Sequence, residues 1–176
     1  MESPPKILIN SSCRLIKKIE LKQAIQKTEI RNLDIIGSNV NLSGLEVETA
    51  NDSDRAFVLK QILDNEQNNS LSKYDNVFID CPPSLSLLTI MALVASNEIL
   101  VPLQTEFFAL EGITQLVKTI DRIKVNLNPN LKVRGILLTM FDKRNKLSSQ
   151  VDKEARTFFK EKVYETVIPR NVRLSE

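Results

Sequence analysis

The chain has 176 residues, 42% of them hydrophobic, and a net charge of +2, so one domain with a core that needs no disulfides is expected. It contains no histidine, which excludes a Ser-His-Asp triad and every zinc site that uses imidazole. The net charge is too small to indicate a nucleic-acid partner without a local cluster of basic residues.

Two further sequence features favour a soluble protein of a reducing cytosol. Cys13 and Cys81 match neither a metal-ligand nor a redox spacing, so we interpret both as small apolar side chains. Apolar runs such as Leu87–Ala95 are far shorter than the ~20 residues that span a bilayer, and no apolar leader follows Met1. A soluble, intracellular protein is therefore predicted.

The first third of the chain has weaker patterns than the rest. Residues 1–12 form a poorly defined segment in which Lys6–Asn10 is either a short strand or a stub, and residues 13–176 are predicted to form the domain. Apolar residues recur every three or four positions in Cys13–Lys27, which predicts an amphipathic helix. Asn32–Ile36 is then predicted to be a strand, followed by two helices at Leu42–Ala50 and Arg55–Asn68. The polar stretch Glu66–Ser70 indicates a loop.

The remaining two thirds alternate strands and helices. Three strands are nearly continuous in apolar character, which predicts burial on both faces: Asn76–Asp80, Glu98–Leu103 and Val133–Thr139. The helices are predicted at Leu85–Ser96, Leu110–Asn126 and Leu147–Phe159, before a fourth strand at Val163–Ile168. This alternation predicts an α/β fold: an open, mainly parallel sheet with helices on both faces.

Asp80 is the first candidate for chemistry. Ligands of open parallel sheets bind beyond the carboxyl ends of the strands, and Asp80 ends an apolar strand before Pro82 and Pro83 turn the chain away. This pattern is typical of a Walker B element, in which a carboxylate holds a water of a Mg²⁺ ion bound to nucleotide phosphates. The alternative is a solvated aspartate that merely ends a buried strand. We predict that Asp80 lies at the tip of an interior strand and faces a nucleotide crevice.

Four ordered blocks resemble the ParA/Soj family of chromosome and plasmid partitioning ATPases: Ile79–Thr89, Val101–Gly112, Gly135–Asp142 and Val167–Glu176. The resemblance extends weakly back to about Leu15 and covers most of the chain. The chain departs from the family pattern at Gly37, where proline is usual, at Thr105, where cysteine is usual, and at Phe107, where tyrosine is usual.

The resemblance implies a ParA/MinD-like P-loop NTPase fold that uses ATP and Mg²⁺. By carry-over, Asp80 is the magnesium-side carboxylate, and four residues lie near the adenine: Thr139, Met140, Pro169 and Asn171. Arg144 and Arg173 match arginines that contact DNA. From Phe141 onward there are nine Lys or Arg against six Asp or Glu, an excess that fits DNA binding or the ordinary solvated face of a helix.

The resemblance also implies partners and a location. Glu106, Glu111 and Gly112 match the surface on which the family's nucleotide-dependent homodimer packs, although a glutamate at a helix start also stabilises the helix dipole unaided. Nonspecific DNA and a ParB-like centromere-binding protein are the implied partners. The implied location is cytoplasmic and nucleoid-associated, without a membrane partner.

A phosphate-binding loop is missing from these residues. Such a loop needs glycines followed by a lysine, and none of Gly37, Gly44, Gly112 and Gly135 is followed by one. In the family this loop follows a strand that lies beside the Walker B strand, so the sequence predicts a truncated P-loop NTPase domain with an open sheet edge there.

Three hypotheses follow from this sequence. The first is a fragment of a partitioning ATPase, with a role in DNA segregation but without ATP hydrolysis of its own. The second is a noncatalytic module that binds DNA or dimerises with an intact homologue. The third is a MinD-like membrane-positioning relative, which would need a terminal amphipathic helix that this sequence does not show.

Overall fold

The computed structural model describes residues 5–10, 21–37, 52–65, 70–81, 86–106 and 109–171. The chain divides into two compact units, Met1–Ser96 and Asn97–Glu176. The division into a segment of residues 1–12 and a domain of residues 13–176 stays a prediction.

The first unit contains a four-stranded sheet. Its strands are β1 (Lys6–Asn10), β2 (Gln26–Lys27), β3 (Leu33–Ile36) and β4 (Asn76–Asp80), in the order β2-β3-β1-β4. β1 runs parallel to both β3 and β4, whereas β2 pairs antiparallel with β3. The sheet is therefore mainly parallel, as predicted.

The core of the first unit lies between this sheet and its helices. The helices are α1 (Leu21–Ala24), α2 (Val58–Asp64), which continues a 3-10 turn at Arg55–Phe57, and α3 (Leu87–Ala95). Side chains alternate along a strand, so Ile7 and Ile9 of β1 point to the same face, where both are fully buried. They pack in one cluster with Leu21, Ile36, Leu59, Met91 and Ala92.

The second unit repeats a strand-helix-strand pattern. It contains β5 (Glu98–Gln104), α4 (Ala109–Asn126), β6 (Lys132–Phe141), α5 (Lys146–Phe159), a 3-10 turn at Lys160–Lys162 and β7 (Val163–Pro169). The strands pair in parallel in the order β5-β6-β7. Ile113, Ile120 and Ile123 recur at helical spacing on α4, and all three are buried.

Most predicted elements from Asn32 onward are confirmed, with ends that differ by at most four residues; the largest difference is at the end of α2, predicted at Asn68 and found at Asp64. The predicted helix at Cys13–Lys27 is wrong at its end: α1 stops at Ala24, and Gln26–Lys27 form β2. The reason is that Gln26 and Lys27 pair with Ile35 and Asp34 of β3, a tertiary contact that helical periodicity does not reveal. The predicted helix at Leu42–Ala50, and Glu66–Asn69 of the predicted loop, lie outside the described residues.

The prediction that the apolar strands are buried on both faces is wrong for β4 and β5. Val77 and Phe78 of β4 are 40% and 47% exposed, and Leu100 of β5 is 49% exposed. Each strand is the last in the order of its sheet among the described residues, so one side has no strand partner there. The prediction that Asp80 lies on an interior strand is wrong for the same reason. The predicted open edge beside Asp80 agrees with this arrangement.

Within the part of the chain that the structure describes, no helix is long and apolar enough to cross a membrane.

A buried carboxylate links three segments of the first unit. Asp34 of β3 is 4% exposed and accepts a hydrogen bond from the Lys27 ammonium at 2.8 Å and another from the Tyr74 hydroxyl. The Lys73 ammonium lies 4.0 Å away. The bonds from Lys27 and Tyr74 hold the pKa of Asp34 below its ordinary value of 3.8. Burial and the bond to Asp34 raise the pKa of Tyr74 above its ordinary value of 10.0.

We predict that Asp34→Asn lowers the free energy of unfolding at neutral pH by about 2 kcal/mol, because charge-assisted hydrogen bonds in a buried site are lost. A lowered folded pKa means that this stabilisation is present above about pH 4 and is lost as the pH falls through the folded value. Urea denaturation followed by circular dichroism at several pH values measures both effects. Asp64→Asn, which breaks the exposed 2.7 Å pair with Lys60, is the control and is expected to cost less than about 0.5 kcal/mol. Equal losses for the two variants would contradict the prediction.

A close approach at Gly135 of β6 gives a second prediction. A Cβ atom there would lie 2.5 Å from Cε2 of Tyr164 and 3.1 Å from the Lys162 carbonyl oxygen. Gly135→Ala should therefore lower the free energy of unfolding by about 1–3 kcal/mol. Gly112→Ala on α4 meets no atom within 4 Å and should raise it by about 0.5–1 kcal/mol. Thermal unfolding compares the two variants, and adding Tyr164→Ala to Gly135→Ala should recover part of the loss. No recovery in the double variant would show that the ring contact is not the cause.

Candidate functional site

Asp80 is the last residue of β4, at the carboxyl end of a parallel strand pair. Its Cα partner is Asn10 of β1, and its side chain is exposed. An exposed carboxylate at a strand end has the donor chemistry that Mg²⁺ uses through a bound water. Among the described residues, no group of three or more His, Cys, Asp or Glu could hold a metal ion by itself. Asp80 is thus suited to be one ligand of a site whose other ligands come from elsewhere.

The sheet of the second unit brings three of the predicted adenine residues to one edge. Thr139 and Met140 lie near the carboxyl end of β6 and are half-buried, and Pro169 ends β7. Phe141 of β6 is the register partner of Pro169, and the Arg170 backbone N–H donates to the Phe141 carbonyl at 3.1 Å. Asn171 follows directly and is exposed. The predicted residues therefore share the edge at which ligands of parallel sheets bind.

Met140 has an unusual backbone at this edge. Its φ angle is 54°, in the left-handed region that favours glycine. A side chain with a Cβ atom is strained there, and such strain persists only where neighbouring contacts hold it. Sequence inspection named Met140 but gave no sign of this conformation.

Arg144 lies in the turn between β6 and α5 and forms an ion pair with Asp142. Its Nε and Nη2 atoms lie 3.1 Å and 3.0 Å from the two carboxylate oxygens of Asp142. The hydrogen bonds from Arg144 lower the pKa of Asp142 to about 2, so this carboxylate stays charged near neutral pH. The Arg144 side chain is 91% exposed, so its guanidinium remains open to solvent while it is paired. Arg173 lies outside the described residues.

The three predicted dimer residues are exposed near the start of α4. Glu106 follows the carboxyl end of β5, and Glu111 and Gly112 lie in the first turn of the helix. No atom lies within 4 Å of where a Cβ atom of Gly112 would be. The open space at Gly112 is compatible with close packing by another chain. It is equally compatible with a helix start that faces solvent.

A cavity of about 430 Å³ lies in the first unit at the opposite ends of the strands. Pro5, Asn32 and Tyr74, which line it, precede β1, β3 and β4 respectively. The amino ends of parallel strands are not where ligands of such sheets bind, so this cavity is not the predicted nucleotide site.

Sequence reasoning missed two buried hydroxyl groups beside the adenine residues. Thr105 and Ser148 are each 2% exposed, and their hydroxyl oxygens lie 3.2 Å apart. The only sequence sign of this contact was the threonine at a position where the resembled family usually has cysteine.

These residues do not provide a binding site for the phosphates of a nucleotide. A nucleotide needs a lysine and a run of backbone N–H groups in a glycine-rich loop around its phosphates, and these 176 residues contain no such loop. The residues predicted to lie near the adenine, Thr139, Met140, Pro169 and Asn171, lie together at or just after the carboxyl ends of β6 and β7.

This chain is similar to a known domain family and to several characterised proteins. A family model described as AAA domain matches residues 5–133. The chromosome partitioning protein ParA of Caulobacter vibrioides is 48% identical over 162 residues, which cover 92% of this chain and 60% of that protein. The sporulation initiation inhibitor protein Soj of Bacillus subtilis is 44% identical over 162 residues, which cover 92% of this chain and 62% of that protein. The chain thus spans about three fifths of these relatives.

The fold is shared with solved structures. Cobyrinic acid a,c-diamide synthase from Mycobacterium smegmatis, crystallised with ADP and magnesium, superposes with a TM-score of 0.83 at 27% identity. The match covers 96% of this chain and 75% of that one. The predicted α/β fold of the P-loop NTPase type is therefore confirmed. From its family match and its relatives, the chain belongs to the AAA domain family and is of the ParA/Soj partitioning type.

Proposed function

We propose that this chain serves the segregation of a chromosome or plasmid as part of a ParA/Soj-type ATPase, and that by itself it does not hydrolyse ATP. The observation that carries the proposal is the similarity along nearly the whole chain to the chromosome partitioning protein ParA and to Soj. Because the chain spans only part of those proteins, their activity and partners come to it as proposals.

The base site of this proposal lies in the second unit. Thr139, Met140, Pro169 and Asn171 receive the adenine at the carboxyl edge of β6 and β7. Support comes from the register between Phe141 and Pro169, which aligns the ends of the two strands. The exposed Asn171 amide offers both a donor and an acceptor for a purine edge.

The metal role of Asp80 is a separate part of the proposal. Its support is the position of an exposed carboxylate at the end of β4, the strand whose sequence resembles a Walker B element. In that role Asp80 holds a water of the Mg²⁺ ion that accompanies ATP. Without a phosphate loop, neither this carboxylate nor the base site suffices to hold the nucleotide phosphates for attack by water.

The proposed partners follow from the exposed groups. Arg144, with Arg173, contacts DNA phosphates without reading sequence, which places the protein on the nucleoid. Glu106, Glu111 and Gly112 belong to a homodimer surface. A ParB-like centromere-binding protein is the proposed regulator of the complete ATPase.

We predict that the purified chain shows no ATP turnover above the buffer rate with Mg²⁺ present, because the phosphates lack their loop. A phosphate-release assay measures this, with Asp80→Ala as the test variant. Asp75→Ala, at the opposite end of β4, is the matched control. Turnover that Asp80→Ala abolishes and Asp75→Ala preserves would contradict the absence of autonomous hydrolysis.

The second candidate function is a noncatalytic module that binds DNA or dimerises with an intact homologue. The observation that favours it is the 91% exposure of the Arg144 side chain beside a carboxylate that can release it to a phosphate. This function needs no phosphate loop.

We predict that the chain binds nonspecific duplex DNA at low salt and releases it as salt rises, because binding to phosphates displaces counterions. Arg144→Ala combined with Arg173→Ala should weaken binding for all sequences and reduce the salt slope by about 2, one for each lost phosphate contact. Fluorescence anisotropy with labelled DNA measures both quantities. Arg134→Ala, which removes a 63% exposed arginine paired with Glu98, is the control and should change neither. No binding at low salt would exclude the DNA form of both proposals.

A further inference from the structure

The left-handed backbone of Met140 is held by a hydroxyl group from another strand. Thr105 follows β5 directly, and its Oγ1 lies 3.3 Å from the Met140 carbonyl oxygen and 3.4 Å from the Thr139 carbonyl oxygen. The Thr105 backbone N–H also donates to the Thr139 carbonyl, at 3.2 Å. Two groups of one residue therefore meet the two peptides at the end of β6.

Ser148 extends this contact to a third element. It lies in the first turn of α5, and its Oγ is 3.2 Å from Thr105 Oγ1 and 3.4 Å from the Thr105 carbonyl oxygen. A hydroxyl has one proton, so Thr105 donates to only one acceptor at a time, and Ser148 donates to the Thr105 carbonyl. Burying a hydroxyl group without a hydrogen-bond partner costs free energy. The contacts of Thr105 and Ser148 therefore favour one arrangement of the end of β5, the end of β6 and the start of α5.

The chain that follows Met140 is also held by hydrogen bonds. The Phe141 carbonyl accepts from the Arg170 N–H of the segment after β7 at 3.1 Å. Farther on, the Asn145 side chain caps α5 by accepting from the Leu147 N–H at 2.9 Å. The strained residue is thus followed by two held positions, and its own carbonyl contacts the Thr105 hydroxyl. Strain held in this way is typical of ligand sites, where it fixes a peptide before the ligand arrives.

We propose that Thr105 and Ser148 are positioning residues that hold the Met140 peptide in its left-handed conformation, so that the Thr139–Met140 edge is preformed for a purine base. This inference rests on the base site proposed above and adds two residues that do not touch the base. It concerns a feature of this chain, because a cysteine at position 105 would be a much weaker hydrogen-bond donor.

The experiment uses the full chain with ¹³C-labelled methionine methyl groups. The sequence contains three methionines, so the spectrum is simple, and Met140 reports on the site while the fully buried Met91 reports on the first unit. The variants are Thr105→Val, which removes the hydroxyl at constant shape, Thr105→Ser, which keeps it, and Ser148→Ala. Thr157→Val is the control, since that hydroxyl is exposed and bonds only within its helix, to the Lys153 carbonyl.

The first readout needs no ligand. Thr105→Val and Ser148→Ala should shift or split the Met140 methyl signal, and Thr105→Ser and Thr157→Val should not. The Met91 signal should stay constant in every variant, which shows that the first unit is unchanged. If Thr105→Val does not fold, Ser148→Ala carries the test. A Met140 signal unchanged in both hydroxyl-deleted variants overturns the positioning role.

The second readout is a titration with adenosine, which lacks the phosphates that this chain cannot cradle. Adenosine should shift the Met140 signal of the unsubstituted chain, and Thr105→Val should weaken the apparent affinity by about threefold to tenfold, the effect of one hydrogen bond. Thr105→Ser should restore it to within about twofold. No response of the unsubstituted chain overturns the base site itself, whereas equal affinity in Thr105→Val overturns only the contribution of the hydroxyl pair.

Discussion

The hydrogen bonds that β6 forms with β5 on one side and β7 on the other are the constraint on which the proposed base site depends. β6 is the central strand of the second unit, and it pairs in parallel with both neighbours: seven of its ten residues are in register with β5 and three with β7. Because parallel strands end at the same edge, the residues that follow them are delivered to one place without any further contact. Strand pairing alone brings Thr139, Met140 and Pro169 to the carboxyl edge of this sheet. No side-chain contact is needed to place them there.

The base site proposed above lies wholly within the second unit, at the carboxyl ends of β6 and β7. In this proposal the base and the phosphates of a nucleotide are bound by different elements. Recognition of a purine needs a rigid edge with a few polar atoms, which a three-stranded sheet supplies. Holding phosphates needs a dense group of N–H donors and a lysine, which only a dedicated loop supplies.

The sequence predicted strands and helices well where local patterns and tertiary contacts agree. Asn76–Asp80 was predicted with the bounds that the structure has, because an apolar run between polar turns leaves little choice. The end of the Cys13–Lys27 helix was wrong because Lys27 is held by Asp34, a residue seven positions away, in a two-residue strand. Burial was wrong for β4 because composition shows that a strand is apolar but not whether a neighbour covers it.

For the candidate site, too, some features could be predicted from the sequence and others could not. The positions of Thr139, Met140 and Pro169 at one edge followed from the order of strands and helices. Neither the left-handed φ of Met140 nor the Thr105–Ser148 contact could be predicted, since the two hydroxyls are 43 residues apart and both types are common. The roles of Asp80, Arg144 and the three residues near α4 rest on resemblance and exposure, and they stay predictions.

The exposed side of β4 has a consequence for how this protein behaves in solution. Val77 and Phe78 of β4 are partly exposed, and among the described residues β4 pairs with β1 only, so its other side is a template onto which another extended segment can add through its backbone. At the high protein concentrations used for nuclear magnetic resonance, this strand edge favours association between copies of the chain. The five residues of β4 are therefore where we expect association between copies of the chain to begin.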